Sequence, residues 1–296
     1  MVRRFRTYGE VEKETGSELL EQVLEQRSRL SDRLSRVGTV VAVASGKGGV
    51  GKSAVTANLA AVLAGRGRNV GVLDADLNGP SLARMLGVVG HSVEDRDDGI
   101  APPEGAAGIR VMSMELLQGA EDAPLRWRDP GADTFLWQSS METTALREFL
   151  ADVVWDGCDY LLVDVPPGTD KIRRLLELVP ELPTAIMVTT PGEMSRAVVG
   201  RSLRMAREAG VPTVALAENM TEYLCPDCGS RHALFPGEGA RRLSEETEVP
   251  IWARIPFDPR MGRATDRGRP WVLDDPGGEV ADAFGALADR LEEEAP

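Results

Sequence analysis

Between Ala44 and Ser53 the chain reads ASGKGGVGKS, a run of glycines, two lysines and a closing serine in an order suited to binding an anion. An apolar run, Thr39 to Val43, precedes it and reads as a buried strand, while Ser53 to Ala64 follows with the Ala/Leu/Val spacing of a helix. In that setting G-x-x-x-x-G-K-S is a phosphate cradle. Gly46, Gly48, Gly49 and Gly51 let backbone N–H groups turn towards the anion, the helix N-terminus offers its positive dipole end, and Lys52 supplies a point charge. Ser53 presents a hydroxyl to Mg²⁺. An ordinary glycine-rich turn would not ask for lysine and serine at those two places. The stretch from Gly46 through Val50 to Ala54 is therefore read as a nucleotide site.

Three further groups of residues carry chemistry. Asp74 and Asp76 stand at alternate positions at a strand end, where both carboxylates point to one side and can face Mg²⁺ and the water that attacks a γ-phosphate. The plainer reading is a turn through Asn78, Gly79 and Pro80 with Ser81 capping a helix. Asp164 closes the apolar run YLLVD, the Walker B arrangement that holds Mg²⁺. Cys225 and Cys228 form a CxxC in which two thiolates three apart grip one edge of a metal. An iron-sulfur cluster, zinc and a redox dithiol all remain open from the residues alone. A tetrahedral zinc or cubane cluster asks for four protein ligands, which a symmetric dimer would supply by pairing two such motifs across its axis. Cys158, before the Walker B strand, reads as a small core residue.

The elements that position these groups follow from alternation. Apolar strands are expected at Asn69–Asp74, Ile109–Ser113, Tyr160–Val165, Thr184–Thr189, Thr213–Ala217 and Ile251–Ile255. Helices are expected at Met141–Val154, Lys171–Val179, Ser195–Ala209 and Gly278–Glu293. The pattern predicts an α/β fold, a mostly parallel sheet with helices on both faces and the nucleotide at the carboxyl ends of the strands. Residues 87–108, rich in Gly, Asp and Pro, read as an exposed loop or small hairpin. Residues 1–37 are read as an N-terminal helical extension, amphipathic from Ser17 to Val37, and 38–296 as a P-loop nucleotide-binding domain with the CxxC inserted near 225–228.

A formal net charge of −13 repels nucleic-acid phosphates and anionic lipid, so neither nucleic acid nor membrane is expected as a partner. No run of eighteen apolar residues predicts a membrane span, and no apolar stretch follows the basic N-terminus as in a secretory signal. Three cysteines do not make a disulfide framework. A cytoplasmic location is expected.

The second lysine makes GKGGVGKS the deviant form of the P-loop, which resembles the dimerising ATPases of cell-division positioning, partition, nitrogenase iron protein and cluster carriage. With DxDxxGPS at Asp74, D-x-PPGT at Asp164 and ENM at Glu218 ahead of the CxxC, the chain resembles the Mrp/ApbC-like iron-sulfur cluster carrier ATPases from about residue 38 to about 273. The resemblance implies a homodimer in which Lys47 reaches the partner subunit's phosphates. It also implies that Asp76 positions the attacking water, that Asp74 lies near the metal, and that Asn219 faces adenine with Pro256 on the other wall. Cys225 and Cys228 would hold a 4Fe-4S cluster bridging two subunits, passed on to apo iron-sulfur proteins with ATP hydrolysis by Lys47, Lys52, Asp76 and Asp164. The alternative is a partition- or cell-division-type positioning ATPase with a zinc-binding CxxC. Its membrane form, however, ends in a basic amphipathic helix, whereas this chain ends ADRLEEEAP.

Two departures from the family pattern stand out. PPGT runs directly into Asp170 where the family has PPGTGD, and Trp137–Met141 reads WQSSM in place of W-R-G-P-M. The missing glycine restricts the γ-phosphate switch and predicts slow basal hydrolysis, unless Asp170 takes the family aspartate's place through a tighter turn.

Overall fold

The structure is a computed structural model that describes residues 27–117, 134–225 and 227–295. Seven strands form one parallel sheet in the order β10-β8-β7-β1-β6-β2-β5, with β9 antiparallel to β8. In chain order these are β1 (Thr39–Ser45), β2 (Val70–Asp74), β5 (Arg110–Met112), β6 (Tyr160–Asp164), β7 (Thr184–Thr189), β8 (Thr213–Leu224), β9 (Arg231–His232) and β10 (Ile251–Phe257). A separate hairpin pairs β3 (Glu94–Arg96) with β4 (Gly99–Ala101). The helices are α1 (Lys52–Gly65), α2 (Leu82–Met85), α3 (Thr134–Asp152), α4 (Thr169–Leu178), α5 (Glu193–Glu208), α6 (Gly239–Thr247), α7 (Arg260–Asp266) and α8 (Glu279–Glu294).

Strand β1 is buried along its whole length, as a central parallel strand covered on both faces must be. Its side chains alternate between two cores. Val40, Ala42 and Ala44 join Phe149, Leu175 and Leu203 of α3, α4 and α5, while Val41 and Val43 join Leu59, Leu63, Phe284 and Leu287 of α1 and α8. Helices therefore cover both faces, as the alternation predicted.

Several boundaries differ from expectation. Strand β8 runs on to Leu224, past the apolar run, because beyond Glu218 it still has β10 along one stretch and β9 at its end to satisfy its backbone. The 87–108 segment holds a hairpin, and its inner strand is buried rather than exposed. Residues 27–34 are helical, and Leu30, 4% exposed, packs into the core beside α3. The predicted start of that helix at Ser17, together with the side chains of Trp137–Met141, lies outside the described residues.

Candidate functional site

The nucleotide loop grows from the end of β1 in the middle of the sheet. Gly46 is packed so closely that an added Cβ would sit 2.8 Å from the backbone of Val198 on α5. Gly49 and Gly51 take left-handed φ values of 76° and 79°, and a Cβ on Gly51 would also meet the Asn219 amide at 2.4 Å. Val50, 1% exposed, pins the loop into the core that holds Leu59, Leu63 and Phe284. Helix α1 then starts at Lys52 with no side chain capping it, leaving its first N–H groups directed at the loop.

Asp164 is the centre of the site. It is fully buried, and its Oδ2 meets Lys52 Nζ at 2.6 Å and accepts the Ser53 hydroxyl at 2.6 Å. Its Oδ1 accepts the Thr56 hydroxyl at 2.9 Å. Sequence reasoning missed Thr56. The available signal was its place four residues after Lys52, on the same helix face. A buried carboxylate with two hydroxyls is an oxygen donor set that fits a hard divalent cation once an entering phosphate draws the Lys52 ammonium away from Asp164.

Asp74 lies in register beside Asp164 on the neighbouring strand. Its oxygens accept the N–H groups of Asp76, Ser81 and Leu82 at 3.1, 2.8 and 3.0 Å. Ser81 occupies the N-cap position of α2 but makes no capping bond with its side chain, so the cap expected of serine is supplied by Asp74 instead. Burial, and then the charge of Asp164, push the Asp74 carboxyl up to about 7. Asp76 is half-buried and accepts the Gly79 N–H at 3.2 Å.

Lys47, Gly48 and Gly49 are exposed on the rim of the loop. Beside them runs the segment after β6. Gly168, at φ 117° and ψ 149°, donates its N–H to Ser45 O at 3.1 Å, and α4 begins at once with Thr169. Asp170 lies in the first turn, largely exposed, 3.8 Å from Arg174. On the other side, Asn219 is buried and donates its amide to Val50 O at 2.9 Å, while pairing in the sheet with Ile255, the residue before Pro256. Met220 next to it takes φ 58°.

The cysteine motif occupies the turn between β8 and β9. Gly229 N–H donates to Cys225 O at 2.8 Å, Cys225 N–H donates to Ser230 O at 3.0 Å, and Gly229 turns at φ 69°. Cys225 is half-buried and Cys228 exposed, and both thiols are free. The Cys228 thiol lies 3.1 Å from the Ser230 hydroxyl, which in turn lies 3.1 Å from Nε2 of His232. Hydrogen bonds from the Ser230 side chain and backbone, then from Cys225, pull the Cys228 thiol below its ordinary value, favouring the thiolate that ligates metal. Cys158 sits elsewhere, 2% exposed in the core, where burial pushes its thiol up. Among the described residues no helix is long and apolar enough to cross a membrane.

Comparison with known proteins bears on this geometry. The family model described as ParA: NUBPL iron-transfer P-loop NTPase matches residues 36–292. Iron-sulfur cluster carrier proteins of Saccharolobus solfataricus and Methanocaldococcus jannaschii are 36% and 38% identical. The matches cover 88% and 84% of this chain and 84% and 83% of theirs. A nucleotide-binding protein from Archaeoglobus fulgidus, solved in complex with ADP, superposes with a TM-score of 0.72 at 33% identity, covering 87% of this chain and 96% of that one. The Pyrococcus furiosus cell division ATPase MinD superposes with a TM-score of 0.62 at 26% identity, covering 88% and 100%.

Proposed function

Because this chain belongs to the iron-transfer P-loop NTPase family, we propose that it is an ATP-hydrolysing carrier of a 4Fe-4S cluster, held between two copies of the chain and handed to apo iron-sulfur proteins in the cytoplasm. The observation that carries this reading is a single strand with chemistry at both levels. Strand β8 holds Asn219 against the phosphate loop and leads, at its far end, into a turn that carries two free thiols, Cys225 half-buried and Cys228 exposed. The cluster is the cargo. With two thiols per chain on that turn, the four ligands of a cubane call for a second copy.

In the nucleotide site Lys52 binds phosphate, exposed Lys47 reaches the partner copy's phosphates, and Asp76 orients the attacking water. Mg²⁺, when bound, would neutralise charge developing on the phosphates, and Ser53, Asp164 and Asp74 would hold it. Asn219 and Pro256 would meet the adenine; the Asn219 amide gives one N–H to Val50 O and keeps its second N–H and its carbonyl oxygen for the base edge.

The test is transfer. Protein reconstituted anaerobically with iron and sulfide should pass its cluster to an apo-acceptor, and Cys225→Ser or Cys228→Ser should abolish loading while ATP binding persists. Cys158→Ser should load normally. A cluster that survives loss of Cys225 but disappears with Cys158 would overturn the assignment, and stable zinc without iron uptake would favour the zinc-bearing positioning ATPase.

A further inference from the structure

Glu142, in α3, stands where three elements meet. Its Oε1 accepts the Asn78 amide at 2.6 Å, and its Oε2 accepts Lys171 Nζ at 2.5 Å and Arg174 Nη1 at 3.0 Å. Asn78 belongs to the loop after β2 that carries Asp76, and Lys171 and Arg174 belong to α4, which follows the Walker B strand and Gly168. The side chains of Glu142, Lys171 and Arg174 are 16%, 23% and 21% exposed. They also line, with Leu146, Val163, Val165 and Leu175, one small cavity, so the ion pairs are only partly screened. Burial alone would push the Glu142 carboxyl up. The hydrogen bonds from Lys171 and Asn78 and the charges of Lys171 and Arg174 outweigh it and hold the group ionised, below its ordinary range.

We propose that Glu142 is a positioning residue for ATP hydrolysis, a buttress that fixes the Asp76 loop against the switch helix α4. The inference rests on reading the P-loop site as an ATPase. Both cationic partners of Glu142 lie in α4, which begins at Thr169 directly after Gly168. Outside Glu142, the loop is tied at its base, where the Ala75 N–H donates to Asp164 O at 3.1 Å, and shaped locally, where Asp76 accepts the Gly79 N–H and Asp74 accepts the N–H groups of Asp76, Ser81 and Leu82. The Asn78–Glu142 bond reaches out of that local set and ties the loop's exposed tip to α3, and through α3 to α4. Among the described residues, Glu142 bonds to Asn78, Lys171 and Arg174 and to none of the cradle, so its loss acts on the orientation of Asp76 rather than on phosphate affinity.

In Glu142→Ala, kcat for ATP should fall about tenfold while the affinity for a fluorescent ATP analogue is unchanged. In an Asp76→Ala background the same substitution should cost nothing further, because the residue through which it acts is already gone. Glu142→Gln keeps an oxygen for Asn78 and should retain more of kcat than Glu142→Ala. Amide hydrogen exchange across 76–81 should quicken in Glu142→Ala at equal folded fraction. A raised KM with unchanged kcat, an undiminished loss in the Asp76→Ala background, a Gln variant no better than Ala, or unaltered exchange would each overturn the proposal. Absence of ATP turnover in the unmutated protein would instead overturn the ATPase reading, and the exchange measurement would still decide whether Glu142 holds the loop.

Discussion

Lys52 and Lys47 share a loop and differ in what surrounds them. Lys52 is buried against Asp164, whereas Lys47 stands on the exposed rim. Lys52→Ala should therefore cost the phosphates their fixed cation and weaken ATP binding by about tenfold or more in equilibrium titration. Lys47→Ala should leave binding by the single chain largely intact and remove the ATP-dependent dimer in sedimentation; an unchanged dimer would count against a role across the interface. At this scale the motif spacing made Lys52, Ser53 and Asp164 legible, because phosphate and metal chemistry asks for those types at those places. Thr56 and Glu142 were not legible. Each looks like ordinary helix filling until long-range contact sets it against Asp164 or Lys171. The same holds for the amide of Asn219, whose partner Val50 is far away in sequence.

Helix α3 carries its own pH response. Burial, then the negative charge of Asp152, push Glu148 up to about 7 against the pull of Arg147 and Arg29. A carboxyl raised in the folded state stabilises fully below the ordinary glutamate range and loses that contribution as pH rises through about 7. Glu148→Gln stays neutral, so its melting temperature should match the parent near pH 5 and exceed it by a few degrees at pH 8; equal melting temperatures at pH 8 would refute this. The switch segment allows a second prediction. Gly168 already supplies the non-helical backbone at φ 117°, and α4 starts in register to place Lys171 and Arg174 on Glu142. Inserting a glycine after Thr169 would rotate those two cations off their partner, so basal turnover should fall with little change in ATP affinity; a rise would restore the view that the shortened segment impairs the switch. Strand and helix order was legible from apolar periodicity. The length of β8 was not, since Glu218, Asn219, Thr221 and Glu222 break its apolar run and only pairing with β10 and β9 keeps it extended.

The whole molecule joins a buried phosphate site at the centre of the sheet to a thiol turn at the end of β8. Helices cover both faces of the sheet and leave its carboxyl edge for chemistry. Alternation in the sequence revealed that layering. It could not reveal that the strand holding Asn219 runs on to the residue before Cys225, because the polar residues between them look like loop. The net charge of −13 suits a carrier that meets protein surfaces rather than phosphate backbones. The measurement that bears most directly on this account is native mass spectrometry of the anaerobically reconstituted protein, with and without ATP. The account predicts one 4Fe-4S cluster per two chains, lost together with the cluster-bearing dimer in Cys228→Ser. A complete cluster on each single chain, or a dimer holding zinc and no iron, would contradict it.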